Sequence, residues 1–372
     1  MTIDFKKVKP TIAVTGSAGK TTVKTMISSI LREKWIIYES SDYHNTTENT
    51  INHKEKIGPI HRSVVLEYGM GFAGQITEHC SILQPDISVI TNVGLAHIGN
   101  FDSKLENLVA AKSEIIKGMN QDGVLFLNRD DHNSKMLHTS KFKGKIVTIG
   151  IEKTGPYRAQ NIRFGKEGME FTIQLKGQKY AFKIPLFGLH NIYNALFAIA
   201  VTDLLGFSPE DMQNGLKYIT KPEHRLYFYH LKDNITVIDD TVHAHPPAMK
   251  AAIDVLKHAG RRKRIAVLGS MSELGDRNEA DHLDVGKYVA NNGVHQLFTF
   301  GNYSRDITEG ALNSGMPLDK AKHYTGLYRK NLHEDLLKAI EPGSTILVKG
   351  ASKQNLFETV ELLLQHYGED AN

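Results

Sequence analysis

Thr11-Ile12-Ala13-Val14-Thr15-Gly16-Ser17-Ala18-Gly19-Lys20-Thr21-Thr22 is the stretch from which the fold of this chain is read. An apolar, β-rich run leads into a glycine-containing turn, and a helical pattern follows from Lys20 to Glu33. Strand, turn and helix start in that order bring backbone N–H groups and the positive end of a helix dipole together, which is how proteins cradle polyphosphate. Lys20 is suited to neutralise terminal phosphates, and Thr21 offers a hydroxyl to Mg²⁺, a hard cation that prefers oxygen. The spacing is shorter than the full Walker A pattern, because Val14 stands where its first glycine would be. A plain glycine turn followed by a surface lysine is the competing reading; the apolar run before the turn and the paired threonines after it favour nucleotide binding.

Outward from this loop, short β-rich runs at Ser63–Leu66, Ile87–Thr91 and Val124–Leu127 alternate with helical patterns, as in a wound, mostly parallel sheet. Between Ile162 and Ile184 the pattern changes to short strands joined by glycine turns, a small β-rich insertion, and a helical stretch follows from Asn191 to Leu205. Lys221-Pro222-Glu223 interrupts helix and marks a boundary. Beyond it, runs at Ile235–Ile238, Ile265–Leu268, Leu297–Phe300 and Thr345–Val348 alternate with helical segments such as Pro246–His258 and Leu356–Leu364. The expected architecture is α/β: a P-loop ATP-binding domain over residues 1–221 and a C-terminal Rossmann-like α/β domain over 222–372, with ligand bound in a cleft between them.

Composition narrows the class. The 372 residues exceed a typical single core. Apolar residues at 41% and charged residues at 23% exclude a disordered or fibrous chain. The net charge of +4 comes from 45 basic and 41 acidic residues without a block of one sign, so nucleic acid is not an expected partner. Cys80 is the sole cysteine, which excludes an internal disulfide or a cysteine-ligated zinc site and fits a reducing compartment. The start MTIDFKKVKP has no apolar segment of signal-peptide length, and no membrane-length apolar run follows, so a cytoplasmic enzyme without membrane association is expected.

Three further residues carry candidate chemistry. Glu67 ends the apolar run Val64-Val65-Leu66, and His97 follows the run Ile90-Thr91-Asn92-Val93-Gly94-Leu95-Ala96. Both lie where open α/β sheets collect ligand-binding groups. Taken singly, a strand-end glutamate often caps a helix, and a histidine is more often a surface or satisfied core residue. Lys112 sits beside the apolar helical face of Leu108, Ala111 and Ile115, where a solvated helix lysine is the plain alternative.

Together, Gly16–Thr22, Leu66-Glu67-Tyr68-Gly69-Met70, Ile90–His97, Ala111–Ile115, His190–Ala195 and Val267–Asp276, in this order, resemble the Mur ligase family over nearly the whole chain. Asp239-Asp240-Thr241, Pro246–Met249, Leu268–Asp276 and Val348-Lys349-Gly350 are most similar to its D-alanyl-D-alanine-adding branch. The resemblance implies that Gly16, Ser17, Ala18, Gly19, Lys20, Thr21 and Thr22 bind ATP phosphates, with Thr21, Glu67, His97 and Lys112 serving Mg²⁺. Lys112 matches the family's carbamylated lysine; Asn191 and Asn194 match its stretch near adenine, Arg225 its ATP-reaching arginine, and Asp240 its ribose-facing acid. Lys20, His97, Lys112 and Arg225 would carry catalysis. The implied reaction joins a carboxylate to an amine through an acyl phosphate, releasing ADP.

Departures from the family pattern shape the substrate expectation. Only ten residues precede Thr11, where family members carry a domain that grips the UDP part of their precursor. Either the acceptor is not a UDP-muramyl peptide, which is the favoured expectation, or a partner protein supplies the recognition surface. Val242, His243 and His245 stand where tyrosine and asparagines are usual, and Ser270 replaces an aspartate. The two histidines have no clear third ligand and read as polar pocket or surface residues. Tyr43–Thr50 only loosely follows the asparagine-rich substrate loop and is equally an ordinary polar loop. A folylpolyglutamate-type ligase and a non-catalytic nucleotide-binding subunit are the alternative functions; retention of Glu67, His97 and Lys112 weighs against the second.

Overall fold

The computed structural model describes residues 9–368 apart from 42–43, 95–97, 166, 220–222, 261 and 273. The chain falls into two units, Met1–Thr220 and Lys221–Asn372. Most of the expected boundary Lys221-Pro222-Glu223 lies outside the described residues, as does His97.

In the first unit the strands are β1 (Thr11–Thr15), β2 (Ile37–Glu39), β3 (Ser63–Glu67), β4 (Ile87–Ile90), β5 (Val124–Asn128), β6 (Lys145–Gly150), β7 (Tyr157–Phe164), β8 (Met169–Leu175) and β9 (Gln178–Ile184). They form one sheet in the order β2-β3-β1-β4-β5-β6-β7-β8-β9. Pairing is parallel from β2 through β7 and antiparallel among β7, β8 and β9. The helices are α1 (Lys20–Leu31), α2 (Thr47–Lys56), α3 (Gln75–Ile82), α4 (Leu105–Gly118), α5 (Leu189–Leu204) and α6 (Pro209–Lys217).

Alternation along β1 explains the layering. Ile12 and Val14 join a core with Val23, Ile27 and Ile30 of α1 and Leu196 and Ile199 of α5, whereas Ala13 joins the opposite core with Ile76 of α3 and Ile115 of α4. Both faces are therefore covered, and β3, β4 and β5 are buried along their whole length. From Ile192 to Thr202 every residue of α5 except Tyr193 is buried, as expected of a helix that is apolar all round.

The short strands β2 and β6 were not foreshadowed: β2 has three half-buried residues, and β6 begins with exposed Lys145 and Ile146, so neither carries a buried-strand pattern. The β-rich insertion begins earlier than its pattern suggests and continues the main sheet, with β7 meeting β6 through Ile149↔Tyr157 and Gly150↔Arg158. Half of the polar segment Tyr43–Thr50 is helix, because Thr46 caps α2 by accepting the Asn49 N–H at 3.3 Å.

The second unit holds a six-stranded sheet of β10 (Tyr227–His230), β11 (Thr236–Asp240), β12 (Arg264–Gly269), β13 (Gln296–Phe300), β14 (Ala321–Tyr324) and β15 (Thr345–Lys349), in the order β10-β11-β15-β12-β13-β14. All pairs are parallel except β10 with β11. Its helices are α7 (Pro246–Ala259), α8 (Asn278–Asn291), α9 (Arg305–Asn313), α10 (Arg329–Ala339) and α11 (Phe357–Tyr367). Val237, Val267, Phe298 and Val348 pack with Leu332, Leu336 and Val360. Among the described residues no helix is long and apolar enough to cross a membrane.

Candidate active site

Strand β1 lies between β3 and β4, so the chain leaves it toward one side of the sheet and later returns to the other. Such a reversal opens a crevice at the carboxyl ends of the strands. Three expected site segments end there: Gly16–Thr22 after β1, Glu67 at the end of β3, and Thr91–Gly94 after β4.

The loop after β4 holds the phosphate loop in shape. Ser17 N–H donates to Asn92 O at 3.1 Å and Ala18 N–H to Asn92 Oδ1 at 3.1 Å. Asn92 Nδ2 and Thr91 Oγ1 both donate to Ala18 O, at 3.2 and 2.6 Å. Ser17 Oγ exchanges hydrogen bonds with Gly94 O and N, at 3.0 and 2.9 Å. The cradle expected from the sequence is thereby divided: Ser17 and Ala18 spend their N–H groups anchoring the loop. The N–H groups of Lys20, Thr21 and Thr22, in the first turn of α1, have no intrahelical acceptor and are the groups left to face an anion. Asn92 is a residue whose own role the sequence did not disclose, since an asparagine after a strand is ordinary turn chemistry.

Lys20 Nζ donates to Gly16 O at 3.1 Å. On the far side of α1's first turn, Thr21 Oγ1 donates to Glu67 Oε2 at 2.7 Å, and Glu67 is 3% exposed. The other carboxylate oxygen accepts from Asn45 Nδ2 at 2.7 Å, and the Glu67 backbone N–H donates to Ser40 Oγ at 3.1 Å. Lys24, itself buried, donates to the Ser40 carbonyl and pairs with Glu39 at 3.4 Å. Asn45 belongs to the polar segment that composition left ambiguous; only its position against Glu67 distinguishes it.

Lys112 is 1% exposed on α4, and its amine makes no hydrogen bond or ion pair among the described residues. Burial, and then the charge of Lys20, hold its pKa well below the usual lysine range. The plain alternative, a solvated helix lysine, is thus excluded. Asn191 and Asn194 are buried in the first turns of α5 rather than capping it. Asn194 Nδ2 donates to Asn191 Oδ1 at 3.0 Å, Asn191 Nδ2 donates to Phe187 O at 2.8 Å, and Asn194 packs directly against Gly19.

No cluster of three His, Cys, Asp or Glu residues able to hold a metal exists among the described residues. Mg²⁺ does not require one, because it is usually held by one or two carboxylates with substrate phosphates and water. The Thr21 hydroxyl and Glu67 carboxylate, hard oxygen donors beside an anion-binding helix end, fit that ion.

In the second unit Asp240 is paired with buried Lys349 at 2.7 Å, and Lys349 also donates to His243 O at 2.7 Å. Asp239 accepts from Thr241 Oγ1 at 2.7 Å and lies 2.6 Å from His224 Nδ1. His245 caps α7, accepting the Ala248 N–H at 3.4 Å. A cavity of about 770 Å³ opens at the carboxyl edge of β12, β13 and β15, lined by Ser270, Ser272, Asn278, Tyr303, Lys353 and Gln354 among others. The Ser270–Ser272 turn is held by His282, whose Nε2 accepts the Met271 N–H at 2.9 Å, and Gln354 Oε1 is buried there without a partner among the described residues.

A shortened phosphate loop on a wound sheet, a threonine–glutamate pair beside it, and a separate α/β unit define a nucleotide-binding α/β protein of the phosphate-loop class. Residues 14–202 match the Mur ligase middle domain and residues 224–352 the domain described as "Mur ligase, glutamate ligase domain". The chain is 34% identical over 364 residues to the UDP-N-acetylmuramoyl-tripeptide–D-alanyl-D-alanine ligase of Bacillus subtilis (strain 168), covering 95% of this chain and 76% of that protein. The enzyme of the same name from Escherichia coli (strain K12) is 29% identical, covering 95% and 77%. The crystal structure of MurF from Acinetobacter baumannii superposes with a TM-score of 0.87 at 27% identity, covering 96% of this chain and 76% of that one. This chain belongs to the Mur ligase family and is an ATP-dependent ligase that forms amide bonds.

Proposed function

We propose that the chain joins the carboxylate of a UDP-muramoyl-tripeptide-type acid to the amine of a D-alanyl-D-alanine-type dipeptide, releasing ADP and phosphate. The observation that carries this reading is the Thr21–Glu67 contact at the phosphate-binding end of α1, in a chain whose relatives are named for that pair of substrates. The expectation of a different acceptor draws no support from those relatives.

The chemistry follows from what a carboxylate lacks, which is a leaving group. Its oxygen attacks the γ-phosphorus of ATP and ADP departs; the amine nitrogen then attacks the acyl carbon, loses a proton, and expels phosphate. Lys20 and the N–H groups of Lys20, Thr21 and Thr22 offset charge that accumulates on the transferring phosphoryl group. Thr21 and Glu67 would hold Mg²⁺, which supplies further charge neutralisation. Lys112, buried and with its amine held well below the usual lysine range, is disposed to add carbon dioxide and become a carboxylate-like group; His97 completes the proposed set. Arg225, Asn191, Asn194 and Asp240 are proposed as nucleotide contacts. The cavity beside Ser270–Ser272 is roomy enough for the amine substrate, with Ser270, Ser272, Asn278 and Gln354 as polar groups on a largely apolar lining.

Oxygen-18 placed in the acceptor carboxylate should appear in released phosphate in one-to-one proportion with amide formed. Label confined to the amide product would reject the acyl phosphate. Supplying D-alanyl-D-alanine with either the UDP-muramoyl tripeptide or the same tripeptide without its nucleotide, and weighing the products by mass spectrometry, tests the acceptor.

A further inference from the structure

One buried ionisable ring has no place in the chemistry above. His79, on α3, is 0% exposed. Its Nδ1 lies 2.7 Å from Thr50 Oγ1 on α2, its Nε2 lies 3.1 Å from Gly69 O, and its ring stacks on Tyr68 with centroids 4.6 Å apart and planes 10° from parallel. Burial pushes its pKa down to about 4, so near neutral pH the ring carries one N–H. A carbonyl only accepts, which assigns that proton to Nε2 and leaves Nδ1 to accept the Thr50 hydroxyl.

The bond to Gly69 matters because of what Gly69 touches. Its N–H donates to Asn45 O at 3.0 Å, and a Cβ added at Gly69 would stand 2.6 Å from the Asn45 carboxamide carbon. Only a glycine permits the two backbones to meet this closely. At His44, the residue before Asn45, another buried imidazole acts: His53 Nε2–H donates to His44 O at 3.1 Å while its Nδ1 accepts the Tyr38 hydroxyl at 2.8 Å. The segment carrying Asn45 is therefore fixed by a ring on each side, and Asn45 Nδ2 is delivered to Glu67 Oε1.

We propose that His79 is a positioning residue for the Glu67 carboxylate, acting through Gly69 and Asn45. It rests on the proposed role of Glu67 at the metal ion. An apolar residue would fill the space beside Tyr68 and add burial energy, but would take the ring's N–H from the Gly69 carbonyl and leave the Thr50 hydroxyl only its 3.3 Å bond to Thr46 O. What the imidazole contributes is direction: two hydrogen bonds at opposite ends of a rigid ring set the distance between α2 and the turn after β3. That distance decides whether Asn45 reaches one carboxylate oxygen while Thr21 holds the other.

The test is Mn²⁺ titration of the protein with a non-hydrolysable ATP analogue, followed by electron paramagnetic resonance. His79→Leu should weaken Mn²⁺ binding about tenfold, the scale of lost support around a metal ligand. Affinity for the analogue without divalent ion should stay unchanged, and His79→Gln, which retains a donor toward Gly69, should restore most of the loss. Hydrogen exchange at the Gly69 amide should accelerate in the leucine variant and not in the glutamine variant. Wild-type Mn²⁺ affinity in folded His79→Leu overturns the proposal. Should that variant fail to fold, Thr50→Val, which removes only the hydroxyl orienting the ring, should still weaken Mn²⁺ binding about threefold, on the same footing; no change overturns it. Glu67→Gln in the same titration separates the two claims. If it too binds Mn²⁺ normally, the metal role of Glu67 fails; if it binds weakly while His79→Leu does not, only the role of His79 fails.

Discussion

Lys112→Met should lower turnover by about 10²–10³-fold, the scale of losing one preorganised charge-stabilising group, while the protein stays folded. Methionine matches the lysine stem in length and carries no amine. In the wild type that amine is buried on α4 without a hydrogen bond or ion pair among the described residues, a state that costs stability. Removing a buried, unpaired polar group of this kind returns about 1–3 kcal/mol, so the melting temperature should hold or rise by a few degrees. Opposite movements of activity and stability would mark a residue kept for chemistry. ADP release and differential scanning fluorimetry on the same preparation give both numbers, and full turnover in a folded variant would remove Lys112 from the site.

Gly16→Ala should weaken ATP binding by about a hundredfold or more, in keeping with a displaced binding group. Gly16 has φ +142°, and an added Cβ would stand 1.9 Å from Thr91 Oγ1 and 3.0 Å from Thr91 N. Thr91 cannot step aside freely, because its hydroxyl donates to Ala18 O and its N–H to Thr15 O. The methyl therefore separates the phosphate loop from the loop after β4 and turns the first N–H groups of α1 away from the phosphates. Overpacking of this kind costs about 1–3 kcal/mol of stability as well. Gly177→Ala is the matched control: φ is +83° in an exposed turn between β8 and β9 and no atom lies within 4 Å of the new Cβ, so strain alone is added and ATP affinity should be unchanged. Isothermal titration of both variants decides the matter, and equal affinities would show that the loop tolerates displacement.

The fold was legible where burial is two-sided or a helix carries one apolar face. β1, β3, β4 and β5 read as apolar runs because helices cover both faces of the sheet, α1 stood out by its helical pattern, and α5 read as a helical stretch. Edge and transitional strands were not legible, because β2, β6, β10 and β14 are short or partly exposed and lack that signature. The phosphate loop and Glu67 were identified by chemistry at a strand end. Lys112 needed the family pattern, since a lysine beside an apolar stripe is usually solvated; its burial is a tertiary fact. Asn45, Asn92 and His79 act by touching residues far away in the chain, and nothing local marks them.

The outer strands β7, β8 and β9 look like an ornament on the nucleotide-binding sheet, yet one carboxylate makes them part of its mounting. Asp130, after β5, accepts N–H groups from Ile151, Glu152 and Lys153 on the way to β7, and at the same time the Tyr193 hydroxyl of α5 at 3.0 Å. Tyr157 of β7 reaches the other end of α5 through Asp203 at 2.7 Å. The helix that presses Asn194 against the phosphate loop is thus moored at both ends to the appendage. An engineer who pruned residues 151–187 to obtain a minimal ATPase would be removing the bearing on which that helix turns, and should find the nucleotide site loosened from behind.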